Sequence, residues 1–217
     1  MAFQLLDLLF FVGFVSAGLA FSIAYLMLIS FRAIRSDHLL GFPIGFSFLG
    51  ISYLFLGTPF LLSLPENLTT WVHLFLGSYG FVFLASAYFF KKRTSSGWSR
   101  NIPSLTFFVL SLGATFAVMI AVISLPTISY EVADGAFRVL NLGLLGYVIY
   151  NLNQALKDEV ELSSVVLGFT FLAIEQYSFL LWSLARTFVW SFVFAQLVRI
   201  AGLVILVAFI MRGFQRV

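Results

Sequence analysis

The sequence contains no cysteine, only two histidines and few charges. Without cysteine the chain has neither disulfides nor thiolate metal sites. No His/Glu cluster of a metalloprotease and no glycine-rich phosphate loop is found. The only lysines are Lys91, Lys92 and Lys157, so the last apolar stretch has none to bind retinal. We therefore expect no catalytic residues, no metal, no cofactor and no enzymatic activity.

Apolar residues form most of the sequence. They make up 61% of the 217 residues, and the mean hydropathy is +1.06, which a soluble domain cannot carry without exposing large apolar patches. About 20 apolar residues in a helix cross a bilayer core. The sequence predicts seven such helices: Leu6 to Phe31, Leu39 to Leu62, Trp71 to Phe90, Ser104 to Leu125, Ala136 to Ala155, Val165 to Leu184 and Phe188 to Met211. We expect residues 1–217 to form one all-α domain, a seven-helix bundle that passes repeatedly through the cell membrane.

Basic residues indicate how this bundle faces the membrane, because cytoplasmic loops are enriched in lysine and arginine. With the amino terminus outside, nine of the twelve basic residues fall on the inner side, all except Arg138, Arg186 and Arg199. The sequence therefore predicts an outside amino terminus and an inside carboxyl terminus. We assign the basic inner face to anionic lipid headgroups and expect no nucleic-acid partner.

Small residues at helical spacing predict close contacts between helices. Gly41 and Gly45 form a GxxxG pair in the second span, and Gly77 and Gly80 lie in the third. Such spacing lets two backbones approach in lipid. We expect these glycines to serve packing within the bundle, with a dedicated dimer interface as the alternative.

Two charges lie near the middle of the last two spans. Glu175 belongs to the sixth span and Arg199 to the seventh, and these helices are antiparallel neighbours, so their depths match. Ionisable groups at this depth are costly unless they face the interior and find partners. We predict an intramembrane ion pair, with Gln176 and Gln196 as supporting polar groups. The pair is either a structural pin or a gate whose loss changes helix packing.

A second polar cluster is predicted near the outer surface. Arg138 and Asn141 share one face of the fifth span, Glu131 and Asp134 lie in the loop before it, and His73 starts the third span. Together these residues would surround and bind a small polar or anionic ligand. Alternatively, Arg138 extends to the headgroups and His73 is satisfied by interfacial water.

The absence of catalytic motifs favours a protein that acts through helix contacts. We expect a non-catalytic sensor, or a subunit of a larger membrane complex, with membrane lipids and a membrane-protein partner around it. A small transporter or channel with a midplane site at Glu175 and Arg199 is the alternative, since transporters bind their substrates there. A lipid enzyme built around His73 is the third possibility.

Overall fold

The structure is a computed structural model and describes residues 2–34, 37–57, 66–94, 129–156, 163–185 and 189–214. This part of the chain contains six α-helices and one short 3₁₀ turn, Asp37–Leu40, which leads into the second helix. The helices are α1 (Ala2–Ile34), α2 (Gly41–Gly57), α3 (Glu66–Thr94), α4 (Tyr130–Leu156), α5 (Ser163–Leu184) and α6 (Val189–Phe214).

Five of these helices are long and apolar enough to cross a membrane. Their apolar segments are Phe10–Arg32, Thr69–Phe89, Tyr130–Ala155, Ser163–Leu184 and Trp190–Gly213, and α2 is a shorter apolar helix. The all-helical class predicted from the sequence is therefore confirmed, with six helices in the described part instead of seven. The predicted span Ser104 to Leu125 lies outside the described residues.

One helix boundary differs from the sequence prediction. Of the second predicted span, Leu39 to Leu62, the structure describes the part up to Gly57, with helix α2 over Gly41–Gly57, and residues 58–62 lie outside the described residues. α4 begins at Tyr130, six residues before the predicted start. Acidic side chains stabilise the first turns of a helix, which explains why Glu131 and Asp134 belong to α4 and not to the preceding loop.

The helices form a closed ring. Each contacts the next in chain order, and α6 returns to contact α1. Every described helix contributes fully buried apolar side chains to the interior, among them Ala20, Leu49, Leu84, Leu145, Leu172 and Leu203.

Residue contacts give the relative directions of the helices. α2 and α3 are antiparallel, because Ser52 contacts His73 at one end while Gly41 lies against Ala87 at the other. α3 and α4 are instead parallel. Trp71 packs on Tyr130, and Phe75 packs on Phe137, about one turn further along α3 and two turns further along α4. We call the end at which α3, α4 and α6 begin end A, and the opposite end B.

Candidate functional site: a polar network at end A

The predicted ion pair joins α5 and α6. Arg199 Nε donates to Glu175 Oε1 over 2.6 Å. The side chains of Arg199 and Glu175 are 0% and 1% exposed, so neither points towards lipid. The structure therefore brings the two predicted residues together inside the ring.

Aromatic rings surround the guanidinium group of Arg199. Its central carbon lies 4.5 Å from the ring centre of Tyr53 in α2 and 5.4 Å from that of Phe179 in α5. A cation over an aromatic face is stabilised by the negative charge of the ring face, and more so where water is excluded. Arg199 thus links α6 to α2 as well as to α5.

The ion pair is not saturated with hydrogen bonds. Glu175 Oε2 and both terminal nitrogens of Arg199 are buried and have no hydrogen-bond partner among the described residues. The same holds for the Tyr53 hydroxyl and the side-chain oxygen of Asn141. Buried polar groups in proteins are nearly always hydrogen-bonded, so a concentration of atoms without a partner among the described residues calls for an explanation.

Gln176, the residue after Glu175 in α5, binds the predicted outer cluster. Its side-chain oxygen accepts hydrogen bonds from Arg138 Nη1 and from Asn141 Nδ2, each over 3.0 Å. Arg138 Nε donates to Asp134 Oδ1 over 3.1 Å, and the Arg138 guanidinium lies 4.6 Å from the ring centre of Phe179. Phe179 therefore contacts both arginines, and the two clusters predicted separately form one network.

The outward orientation considered for Arg138 is wrong. Arg138 is only 7% exposed, because Asp134, one helical turn earlier, and Gln176 on the facing helix hold its guanidinium inside. A position four residues after an acidic residue on the same helix face favours this contact.

His73 also points inwards, so satisfaction by interfacial water is wrong for this residue. Its Nδ1 donates to the Ser52 carbonyl oxygen over 2.9 Å and lies at the same distance from the Ser52 hydroxyl. That hydroxyl in turn lies 2.8 Å from the carbonyl oxygen of His73 and donates to it. Gly77, one turn further along α3, leaves room for Ser52, since an added Cβ would lie 3.1 Å from its hydroxyl oxygen. These contacts join α2 to α3.

Two predicted residues lie apart from the network. Gln196 is buried, but neither polar atom of its side chain has a hydrogen-bond partner among the described residues, so it does not support the ion pair directly. Glu131 is exposed in the first turn of α4. The cluster around Arg138 thus keeps Asp134 and Asn141, while Glu131 faces outwards.

A small internal cavity connects the two halves of the network. Its lining includes Tyr53, His73, Asn141, Glu175 and Gln176. The volume, about 10 Å³, is close to the minimum that holds one water molecule. This conformation therefore leaves space beside the ion pair for a single water or a similarly small species.

The described residues do not assemble a metal site: no three of their histidine and acidic side chains come together in one place. Comparisons with protein-family models, with curated proteins and with solved structures gave no match.

Proposed function

We propose that the protein is a seven-span protein of the cell membrane, with its amino terminus outside. The connectivity supports the seventh crossing. Because α3 and α4 run parallel, Thr94 at end B and Tyr130 at end A are separated by the length of the bundle. Residues 95 to 128 join these two ends in the sequence, and they include the apolar stretch Ser104 to Leu125.

The bundle acts through helix contacts, without catalysis, as a sensor or as a subunit of a larger membrane assembly. One observation carries this proposal: the Glu175–Arg199 pair is fully buried yet keeps three polar atoms without a hydrogen-bond partner in the described structure. A pair that served only to pin two helices would be more stable with those atoms bonded. Hydrogen-bonding capacity that the described residues do not use supports a contact that is completed or rearranged when the protein works.

The polar network contacts most helices of the ring, so a change at the ion pair also changes helix contacts at the surface of the bundle. Arg199 contacts α5 and α2, Gln176 binds α4, and Ser52 binds α3. A small polar ligand or ion that bound beside Glu175 would alter the contacts between α5 and α6. The outer faces of these helices carry exposed apolar side chains such as Leu181 and Leu197, which suit contact with lipids and with a membrane-protein partner.

Purification in mild detergent followed by mass spectrometry tests this function. We expect the wild-type protein to copurify with a stoichiometric membrane-protein partner. Tyr53→Phe should keep the bundle stable, because it removes a hydroxyl that has no hydrogen-bond partner among the described residues, yet it should reduce recovery of the partner. Tyr25→Phe, at a 65% exposed position in α1, is the matched control. A wild-type protein recovered as a clean monomer would contradict the proposal.

The same polar atoms, which have no partner among the described residues, favour a second function, a small transporter or channel with its site at Glu175 and Arg199. Substrate sites of transporters lie near the midplane and use polar groups from several helices. Flux into proteoliposomes separates the two functions. Solute flux that is lost in Glu175→Gln, and kept when the exposed Glu131 is changed to glutamine, would favour transport over sensing.

A further inference from the structure

The half of the bundle towards end B encloses a second cavity of different character. Its volume is about 140 Å³, far larger than that of the polar cavity. All six helices contribute to its lining, which consists of Met27, Phe42, Phe46, Tyr88, Leu152, Val165, Phe169, Leu206, Phe209 and Ile210. The interior thus divides into a tightly packed polar half and a hollow apolar half.

The lining side chains are held at the wall of this cavity. The rings of Phe42 and Tyr88 meet edge to face with their centres 5.4 Å apart, and those of Phe46 and Phe169 lie 6.3 Å apart. Leu206 packs directly on Gly168, where an added Cβ would lie only 2.6 Å from its Cγ. Because these contacts fix the side chains, the cavity is a formed feature of the bundle.

The residues that line this cavity differ in exposure. Phe46, Leu152, Phe169 and Leu206 are at most 4% exposed. Met27, Phe42, Tyr88 and Phe209 are instead half-buried. The half-buried set belongs to four helices, so part of the cavity wall is open to the surroundings of the bundle.

We propose that this cavity is a binding site for a compact hydrocarbon group, supplied either by a free small apolar molecule or by the tail of a lipid. Apolar cavities of about 150 Å³ in proteins take up compact hydrocarbons such as benzene. An unfilled cavity lowers stability in proportion to its volume, so an apolar occupant that restores the lost contacts is favoured. The proposal is independent of the function proposed for the polar network.

Photolabelling of the full chain in phosphatidylcholine nanodiscs tests the site. The probe is an aliphatic diazirine without polar groups, and benzene and palmitate are the competitors. We expect the probe to label Met27, Phe42 and Tyr88, and we expect a competitor to reduce this labelling. Tyr177, which is 52% exposed, should show the non-competable labelling of a lipid-facing residue. Competition by benzene alone would indicate a free small ligand, and competition by palmitate as well would indicate a lipid tail.

Matched variants make the result specific. Leu152→Phe adds volume inside the cavity, whereas Leu140→Phe makes the same change at a 48% exposed position of the same helix. Competable labelling should fall by roughly tenfold or more in Leu152→Phe, since forcing extra volume into an occupied space is costly, and should be unchanged in Leu140→Phe. If Leu152→Phe does not fold, Val165→Met should give a smaller, severalfold loss. The proposal would be overturned if neither competitor reduced the labelling. It would also be overturned if Leu152→Phe or Val165→Met folded and was labelled as strongly as the wild type.

Discussion

At the scale of single residues, Gln176 is the contact on which the polar network depends. Its one side-chain oxygen accepts from both Arg138 and Asn141. Backbone contacts between α4 and α5 do not replace these bonds, since each helix satisfies its own backbone groups in lipid. Loss of this oxygen leaves two buried donors on α4 without their partner.

Replacement of Gln176 by leucine should therefore destabilise the bundle. We expect the free energy of unfolding to fall by about 2–4 kcal/mol, since each abandoned buried donor costs about 1–3 kcal/mol. Gln154→Leu, at an exposed position in α4, should change stability little. Denaturant titration in detergent gives both values. Equal effects of the two substitutions would show that the bonds to Gln176 are energetically unimportant.

Part of this network follows from the sequence and part does not. The positions of Glu175 and Arg199 in adjacent antiparallel spans predict their similar depth, and the high cost of charge in lipid predicts that they face inwards. The connection through Gln176 depends on the rotation of α4 about its axis, which the sequence pattern does not determine. Tyr53 and Phe179 were not predicted, because aromatic residues in apolar spans are common and nothing in the sequence distinguishes these two.

At the scale of helices, glycine allows α2 and α3 to approach closely. A Cβ at Gly45 would lie 2.9 Å from the Gly80 carbonyl oxygen and from Leu84 Cγ, and one at Gly41 would lie 2.6 Å from the Phe83 carbonyl oxygen. These glycines thus pack against a neighbouring helix of the same chain. The GxxxG spacing is used within the bundle, as expected from the sequence.

Gly45→Ala should consequently separate α2 from α3. We expect a loss of about 1–3 kcal/mol in the free energy of unfolding, typical of added volume at a tight contact. Gly143→Ala is the control, because a Cβ there has no neighbour within 4 Å. In that exposed position alanine should be neutral or stabilising by up to about 1 kcal/mol. Destabilisation by both substitutions to the same extent would mean that glycine content, not close approach, is what matters.

Helix boundaries show why local pattern is an incomplete guide. Hydropathy places the start of the fifth span at Ala136, since the residues before it include Glu131 and Asp134. The helix nevertheless extends back to Tyr130. Acidic residues complement its amino-terminal dipole, and Asp134 pairs with Arg138. Tertiary contact and helix electrostatics therefore outweigh the polarity that would assign these residues to a loop.

At the scale of the whole molecule, the ring combines a charged, closely packed half with a hollow apolar half. The polar network ties together five helices near end A, where cavity space is about 10 Å³. The described residues that line the cavity near end B are apolar apart from the Tyr88 hydroxyl. We expect end A to be the rigid part of the bundle and end B the part that adapts its packing to an occupant.

The absence of cysteine allows a direct test of orientation. Single cysteines at Ser129 and Asn153 place one thiol at each end of α4, both at exposed positions. If the amino terminus is outside, a membrane-impermeant maleimide should label Ser129→Cys on intact cells and label Asn153→Cys only after permeabilisation. The reverse pattern would show that the bundle is inserted with the opposite orientation.

The central claim is that Glu175 and Arg199 are coupled within the bundle, and a double-mutant cycle of unfolding free energies measures this most directly. Glu175→Gln alone should cost about 3–5 kcal/mol, because it leaves the guanidinium buried without its partner. The double variant Glu175→Gln with Arg199→Leu should recover most of that loss. A double variant as unstable as the sum of the two single changes would show that the residues do not pair.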